Sequence, residues 1–151
     1  MSGSQAYSLL EENLDLLDEN FPKVLRDWST NWLSAIEPQQ AQEFAFKIMI
    51  FSYLVKNFQS GQQLHRLKIA NSGYAIAATV FDQKTFPERW KYIQNQIQEC
   101  FAIEILLLSI HRSGKPQEVY SLLEENLDKL NSEFSKVLQG CAIATLSAVE
   151  A

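Results

Sequence analysis

Glycine and proline are scarce, at 5 and 4 of 151 residues, so tight β-turns are few. Only two cysteines occur, Cys100 and Cys141, without the paired spacing of a metal site. A chain of this length buries an adequate core without disulfides or metal. Basic residues are outnumbered, 13 against 18 acidic, for a net charge of -5. That sign opposes the counterion displacement by which proteins hold duplex nucleic acid. Long apolar runs are missing too. The most apolar windows, Phe44 to Val55 and Cys100 to Ile110, are interrupted by Lys47 and Glu104 and fall well short of the ~20 residues of a bilayer crossing. Nothing resembles a secretory n-region followed by an apolar stretch. These absences predict a reduced, cytoplasmic protein with neither nucleic acid nor membrane as its partner.

What is present is ordinary globular composition, 46% hydrophobic and 21% charged, which predicts one domain over residues 1–151. An internal repeat stands out. Residues 7–26 read YSLLEENLDLLDENFPKVLR and residues 120–139 read YSLLEENLDKLNSEFSKVLQ, identical at 14 of 20 positions after a shift of 113. The likeness then fades, with four of twelve positions kept between Asp27 and Pro38. Residues 7–36 and 120–149 therefore read as two copies of one helical hairpin, the second truncated.

Pro22, Pro38 and Pro87 each precede an apolar periodic stretch, where a missing amide hydrogen costs little. Gly61 and Ser113-Gly114-Lys115-Pro116 mark loops. The pattern predicts seven helices, over 5–17, 20–36, 39–58, 62–82, 87–111, 117–130 and 133–149, joined by connections short enough to make neighbours antiparallel. Tyr7, Leu10, Leu14 and Leu17 form one apolar stripe, repeated by Tyr120, Leu123, Leu127 and Leu130. Phe21, Leu25, Trp28, Trp32 and Ile36 form the next. Thr85 and Glu88 have capping-box spacing at the start of the fifth helix. From Cys100 onward that helix is apolar nearly all round, which predicts a central position. No stretch alternates long enough to be a strand.

The runs NFPKVLRDWSTNWLSAIEPQQAQ and IANSGYAIAATVFDQKTFPERWKYIQNQIQECF give most of residues 7–101 a family likeness. They resemble the helical region preceding the tetratricopeptide repeats of large cyanobacterial proteins, many of which end in a caspase-like CHAT domain. In that family Phe86-Pro87-Glu88-Arg89-Trp90 leads into a repeat helix patterned Leu-Gly-x-x-Tyr. The matching positions here are Ile97, Gln98 and Phe101, with glutamine where the family has glycine. The resemblance implies an all-α fold of antiparallel helical hairpins, a right-handed tetratricopeptide-like array. It also implies a concave surface that binds a peptide or helix of a partner protein.

Catalytic patterns are missing from the chain. His65, in LHRLK, has no neighbouring ligand, and Cys100 and His111 lie about 16 Å apart along one helix, too far for a dyad. Cys141 falls in an apolar stripe with Phe134 and Leu138 and reads as core. Glu104, among Cys100, Phe101, Ile103 and Ile105, is expected to face water by rotation of its helix, with a buried ion pair as the alternative. Gly-rich phosphate loops and Ser-His-Asp arrangements are absent. The expectation is a non-catalytic interaction module without cofactor or metal.

Glu11, Glu12, Trp28, Trp32, Glu124 and Glu125 are the candidate partner-binding residues. The glutamates lie on polar helix faces that a basic peptide could use. The tryptophans, one turn apart, read first as core aromatics. Cys141 and Thr145 replace them in the second copy, so the two copies cannot pack identical neighbours. Two other functions fit the same residues, a homo-oligomeric assembly element and a small enzyme or ligand-binding bundle with a pocket near Glu104 and His111. A monomer is expected, with a weak homodimer as the alternative.

Overall fold

The computed structural model describes residues 3–58 and 62–110 and, beyond them, Glu124, Phe134, Val137 and Gln139, all four helical. Five α-helices carry the described chain: α1 (Gly3–Glu12), α2 (Phe21–Leu33), α3 (Pro38–Asn57), α4 (Gln63–Val80) and α5 (Pro87–Ile110). No strand occurs among the described residues, and the protein is all-helical. The helices expected over 117–130 and 133–149 otherwise lie outside the described residues. The chain divides into two compact units, Met1–Ile97 and Gln98–Ala151.

Local chemistry explains the boundaries. α1 ends earlier than its apolar stripe, because the Asn13 side-chain amide donates to the Leu9 carbonyl at 2.8 Å and Leu14–Leu16 tighten into a 3-10 turn. α2 is opened by Asp18, whose Oδ1 accepts the amides of Asn20 at 2.9 Å and Phe21 at 3.2 Å. It stops at Leu33 rather than at Ile36. Pro38 disfavours helical geometry at Glu37, which is extended at φ -72 and ψ 156. The Glu37 amide donates to Gln40 Oε1 at 3.2 Å, and Pro38 then starts α3.

The capping box expected at Thr85 and Glu88 is replaced by an Asp82 turn. Asp82 Oδ1 accepts the Thr85 amide at 2.7 Å, and α5 begins with the Trp90 amide donating to the Phe86 carbonyl at 2.9 Å. The Thr85 amide, with Lys84 nearby, holds the Asp82 carboxyl below its ordinary value.

In the first unit, ring pairs set the helix directions. Phe21 meets Phe51 at 6.1 Å and Trp28 meets Phe44 at 5.5 Å, so α2 and α3 run antiparallel. Arg89 lies 5.6 Å from the Phe46 ring and Lys56 Nζ donates to Gln96 Oε1 at 2.9 Å, so the start of α5 runs parallel to α3. The Arg89 guanidinium also lies 4.8 Å from the ring of Phe81, and Tyr74 Oη is 3.5 Å from Gln96 Oε1, so α4 runs antiparallel to α5. Alternating directions follow from the short connections.

α4, rather than α5, is the central helix of this unit. Its only exposed residues are Gln63, Lys68 and Thr79. Leu67, Ile69, Ala70, Tyr74, Ile76, Ala77 and, just past its end, Phe81 are buried. α3 approaches it closely at Gly73, where an added Cβ would collide with Ser52 Oγ and lie 3.4 Å from Ile48 Cγ2. Ala45, Ile48, Ser52 and Val55 form the α3 face at the three-four spacing of a helix stripe. Leu25, Ile48 and Ile76 form a core cluster joined by Phe21, Leu33, Phe44 and Phe51.

In the second unit, Gln98, Cys100, Phe101, Ala102, Glu104 and Ile105 are buried, and no residue from Gln98 to Leu107 is exposed. The apolar stretch from Cys100 is therefore covered on most of its surface as far as Leu107, with Ile103, Leu106 and Leu107 half-buried. This corrects the expectation that Glu104 faces water: Glu104 is 2% exposed and falls on the buried face with Cys100, Phe101 and Ile105, while Glu99, Ile103, Leu106 and Leu107 share the half-buried side.

Candidate functional site

Two surface features combine apolar and charged residues. On α2, the buried positions are Leu25 and Ser29, a row that Leu33 continues as a half-buried residue. Trp28 and Trp32 flank that row and stand 55% and 47% exposed, which overturns their reading as core. The physical reason is helix rotation. The stripe read from Phe21, Leu25, Trp28 and Trp32 is wider than the contact with α3 and α4, and the face is centred on a serine that hydrophobic patterning does not register. Trp28 lays its ring against Phe44 and leaves the rest to solvent. On α3, Phe46, Ile50 and Tyr53 are likewise 46–51% exposed and recur at one-turn spacing.

The second feature joins α1 to the end of α3. Tyr7 stacks on Phe58 with ring centroids 5.7 Å apart and planes within 10°. With Ser8, Glu11 and Glu12 they line an open depression of about 430 Å³. Spacing puts the α1 residues there, since Tyr7 and Glu11 are one turn apart, as are Ser8 and Glu12. Both glutamates are exposed, and neither pairs with another charged group among the described residues. Phe58, 5% exposed, closes the floor from the C-terminal cap position of α3.

Of the candidate residues, the structure thus brings Glu11 and Glu12 together with an aromatic pair and places Trp28 and Trp32 on another helix. Glu124 is helical and exposed, whereas Glu125 and His111 lie outside the described residues. Ile97, Gln98 and Phe101, the positions matched to the tetratricopeptide pattern, are all buried. Sequence reasoning missed Phe58, which ends an apolar run and meets Tyr7 only through tertiary packing. Tyr7 itself was legible, as part of a stripe.

Ionisable chemistry elsewhere is sparse. No group of three or more histidine, cysteine, aspartate or glutamate side chains among the described residues could hold a metal ion. Arg66, in α4, is buried with its Nε unbonded, and burial lowers its pKa. No described helix is long and apolar enough to cross a membrane. Compared with models of protein families, with curated proteins and with solved structures, the chain matches none.

Proposed function

We propose that this protein is a non-catalytic protein-interaction module, an adaptor of the tetratricopeptide-like kind that holds a peptide or helix of a partner protein in the cytoplasm. The supporting observation is the set of large apolar side chains standing about half exposed on α2 and α3, above all Trp28 and Trp32. Half-exposed tryptophans on a rigid helix supply large contact area at low entropic cost, and they are the residues that dominate interface energetics. The likeness of residues 7–101 to the region ahead of tetratricopeptide repeats supports the same reading, with the hairpin array continued by residues 117–149 as a further part of the proposal.

The test is affinity capture from the source cell with the wild-type chain and with Trp28→Ser/Trp32→Ser, both checked for helicity. A partner retained by the wild type and lost by the variant supports the reading. Equal recovery by both chains, or no partner together with tight binding of a metabolite, overturns it.

The same half-exposed side chains also fit self-association, in which a second copy of the chain covers them. Sedimentation at micromolar concentration separates the two readings, since a dimer that dissociates in the tryptophan variant assigns that surface to assembly.

A further inference from the structure

The depression between α1 and the end of α3 combines two groups that recognise cations. Tyr7, half-buried and stacked on the buried Phe58, offers the outer face of its ring, and Glu11 and Glu12 offer carboxylates with no cationic partner among the described residues. A lysine or arginine side chain has an apolar stem that packs along rings and a charged head that carboxylates accept. An apolar ligand would leave the glutamates idle, and an anion would be repelled by them and by the net charge of -5.

The internal repeat carries independent weight. Every exposed residue between Tyr7 and Asp15, namely Ser8, Leu9, Glu11, Glu12 and Asp15, recurs identically in the second copy. From Leu16 to Glu37, ten of fifteen exposed positions differ between the copies. Packing constrains buried positions. It does not account for identity at solvent-facing carboxylates when the solvent-facing positions beside them have diverged. A ligand that touches the α1 residues common to both copies, Tyr7, Ser8, Glu11 and Glu12, accounts for it, Phe58 lying outside the repeated residues.

We infer that the Tyr7–Phe58–Glu11–Glu12 depression is a binding site for a lysine or arginine side chain carried by a basic segment of a partner protein. This deepens the interaction-module reading and rests on it, but it uses a surface separate from Trp28 and Trp32. The partner segment is basic and extended or helical, with one long cationic side chain laid against the ring of Tyr7.

The probe is acetyl-tetralysine amide titrated into the full ¹⁵N-labelled chain. Residue-resolved NMR shifts distinguish this site from any in the second copy. The expected result is saturable shifts at residues 7–12 and Phe58 with a Kd on the order of millimolar, and Glu11→Gln/Glu12→Gln is expected to weaken it about five- to tenfold. Both substitutions are at exposed positions, so the fold is retained. The control Glu19→Gln/Glu43→Gln removes the same charge from exposed positions outside the depression and is expected to change Kd by less than about twofold at physiological salt.

Equal weakening by the two charge variants reduces the effect to general attraction and overturns the site, as does the absence of saturable shifts at residues 7–12. So does equal saturation of these residues by spermine, which would assign the site to small polyamines instead. A tetralysine site that persists while the tryptophan variant captures its partners unchanged leaves the depression standing and removes the reading built on Trp28 and Trp32. Loss of the tetralysine site with tryptophan-dependent capture intact does the reverse.

Discussion

Replacing Gly73 with alanine adds a methyl group at the closest approach of α3 and α4. The new Cβ would overlap Ser52 Oγ, sit 3.3 Å from Ser52 Cβ and lie 3.4 Å from Ile48 Cγ2. Alanine is favoured over glycine by about 1 kcal/mol in a helix interior. Overpacking a filled interface costs about 1–3 kcal/mol. The steric cost is placed near the upper part of that range because all three neighbouring atoms belong to buried residues, and the net expectation is a loss of about 1 kcal/mol.

Ser52 makes this testable without relying on one number. Its Oγ is buried and has no hydrogen-bond partner, so Ser52→Ala removes an unsatisfied hydroxyl and relieves the overlap. The single variant Ser52→Ala is expected to be neutral or stabilising by up to about 1 kcal/mol. In that background Gly73→Ala is expected to become neutral or stabilising, giving a coupling of about 1–2 kcal/mol across the cycle. Urea unfolding followed by far-UV circular dichroism measures all four chains. Stabilisation of the wild type by about 1 kcal/mol on Gly73→Ala alone, equal to the helix-propensity gain, would refute the close approach of the two helices.

The other expectations concern α2, the turn before α5 and its cation–π contact. Ser29, 0% exposed with an unbonded Oγ, is alanine at the matching place of the second copy, Ala142, so Ser29→Ala is expected to hold or raise stability by up to about 1 kcal/mol; a loss above that size in urea unfolding would show a hidden hydrogen bond. Trp28→Ala is expected to cost about 1–2 kcal/mol, below the 3–5 of a fully buried aromatic, since half the ring is already in water; a cost in the full range returns Trp28 to the core. Asp82 has a depressed pKa, so its contribution is present above its unfolded value near 3.9 and is lost as pH falls through the lower folded value. Urea midpoints of wild type and Asp82→Ala should therefore differ by a constant amount at neutral pH and converge below about pH 4, whereas a gap unchanged down to pH 2 contradicts the turn. Arg89→Ala, which removes the guanidinium from the Phe46 and Phe81 rings, is expected to cost about 0.5–1 kcal/mol, and no loss in thermal unfolding would show that the contact is incidental.

The sequence by itself determined where the first five helices lie and that they pack by their apolar faces. Those signals are local. Proline positions and the Tyr7, Leu10, Leu14 pattern act within a few residues and need no partner to be read. The repeat was visible for the same reason, and it showed Tyr7 in an apolar stripe and Glu11 and Glu12 on the polar face of the same helix, each recurring in the second copy.

Tertiary structure alone decided the rest. Helix rotation is set by the neighbours, and the α2 contact fell on Leu25 and Ser29, leaving Trp28 and Trp32 at its edge. α4 became central through Ala70, Gly73 and Ala77, small residues whose value is the close approach they permit and which draw no apolar stripe. Glu104 is buried because its helix turns the Cys100, Phe101 and Ile105 face inward and leaves Ile103, Leu106 and Leu107 half-buried, a rotation set by surroundings that its own segment does not encode. Phe58 joins Tyr7 across fifty intervening residues of chain, and the depression they form with the glutamates exists only once α1 has docked on α3. Periodicity specifies which side chains share a face; only packing specifies what that face meets.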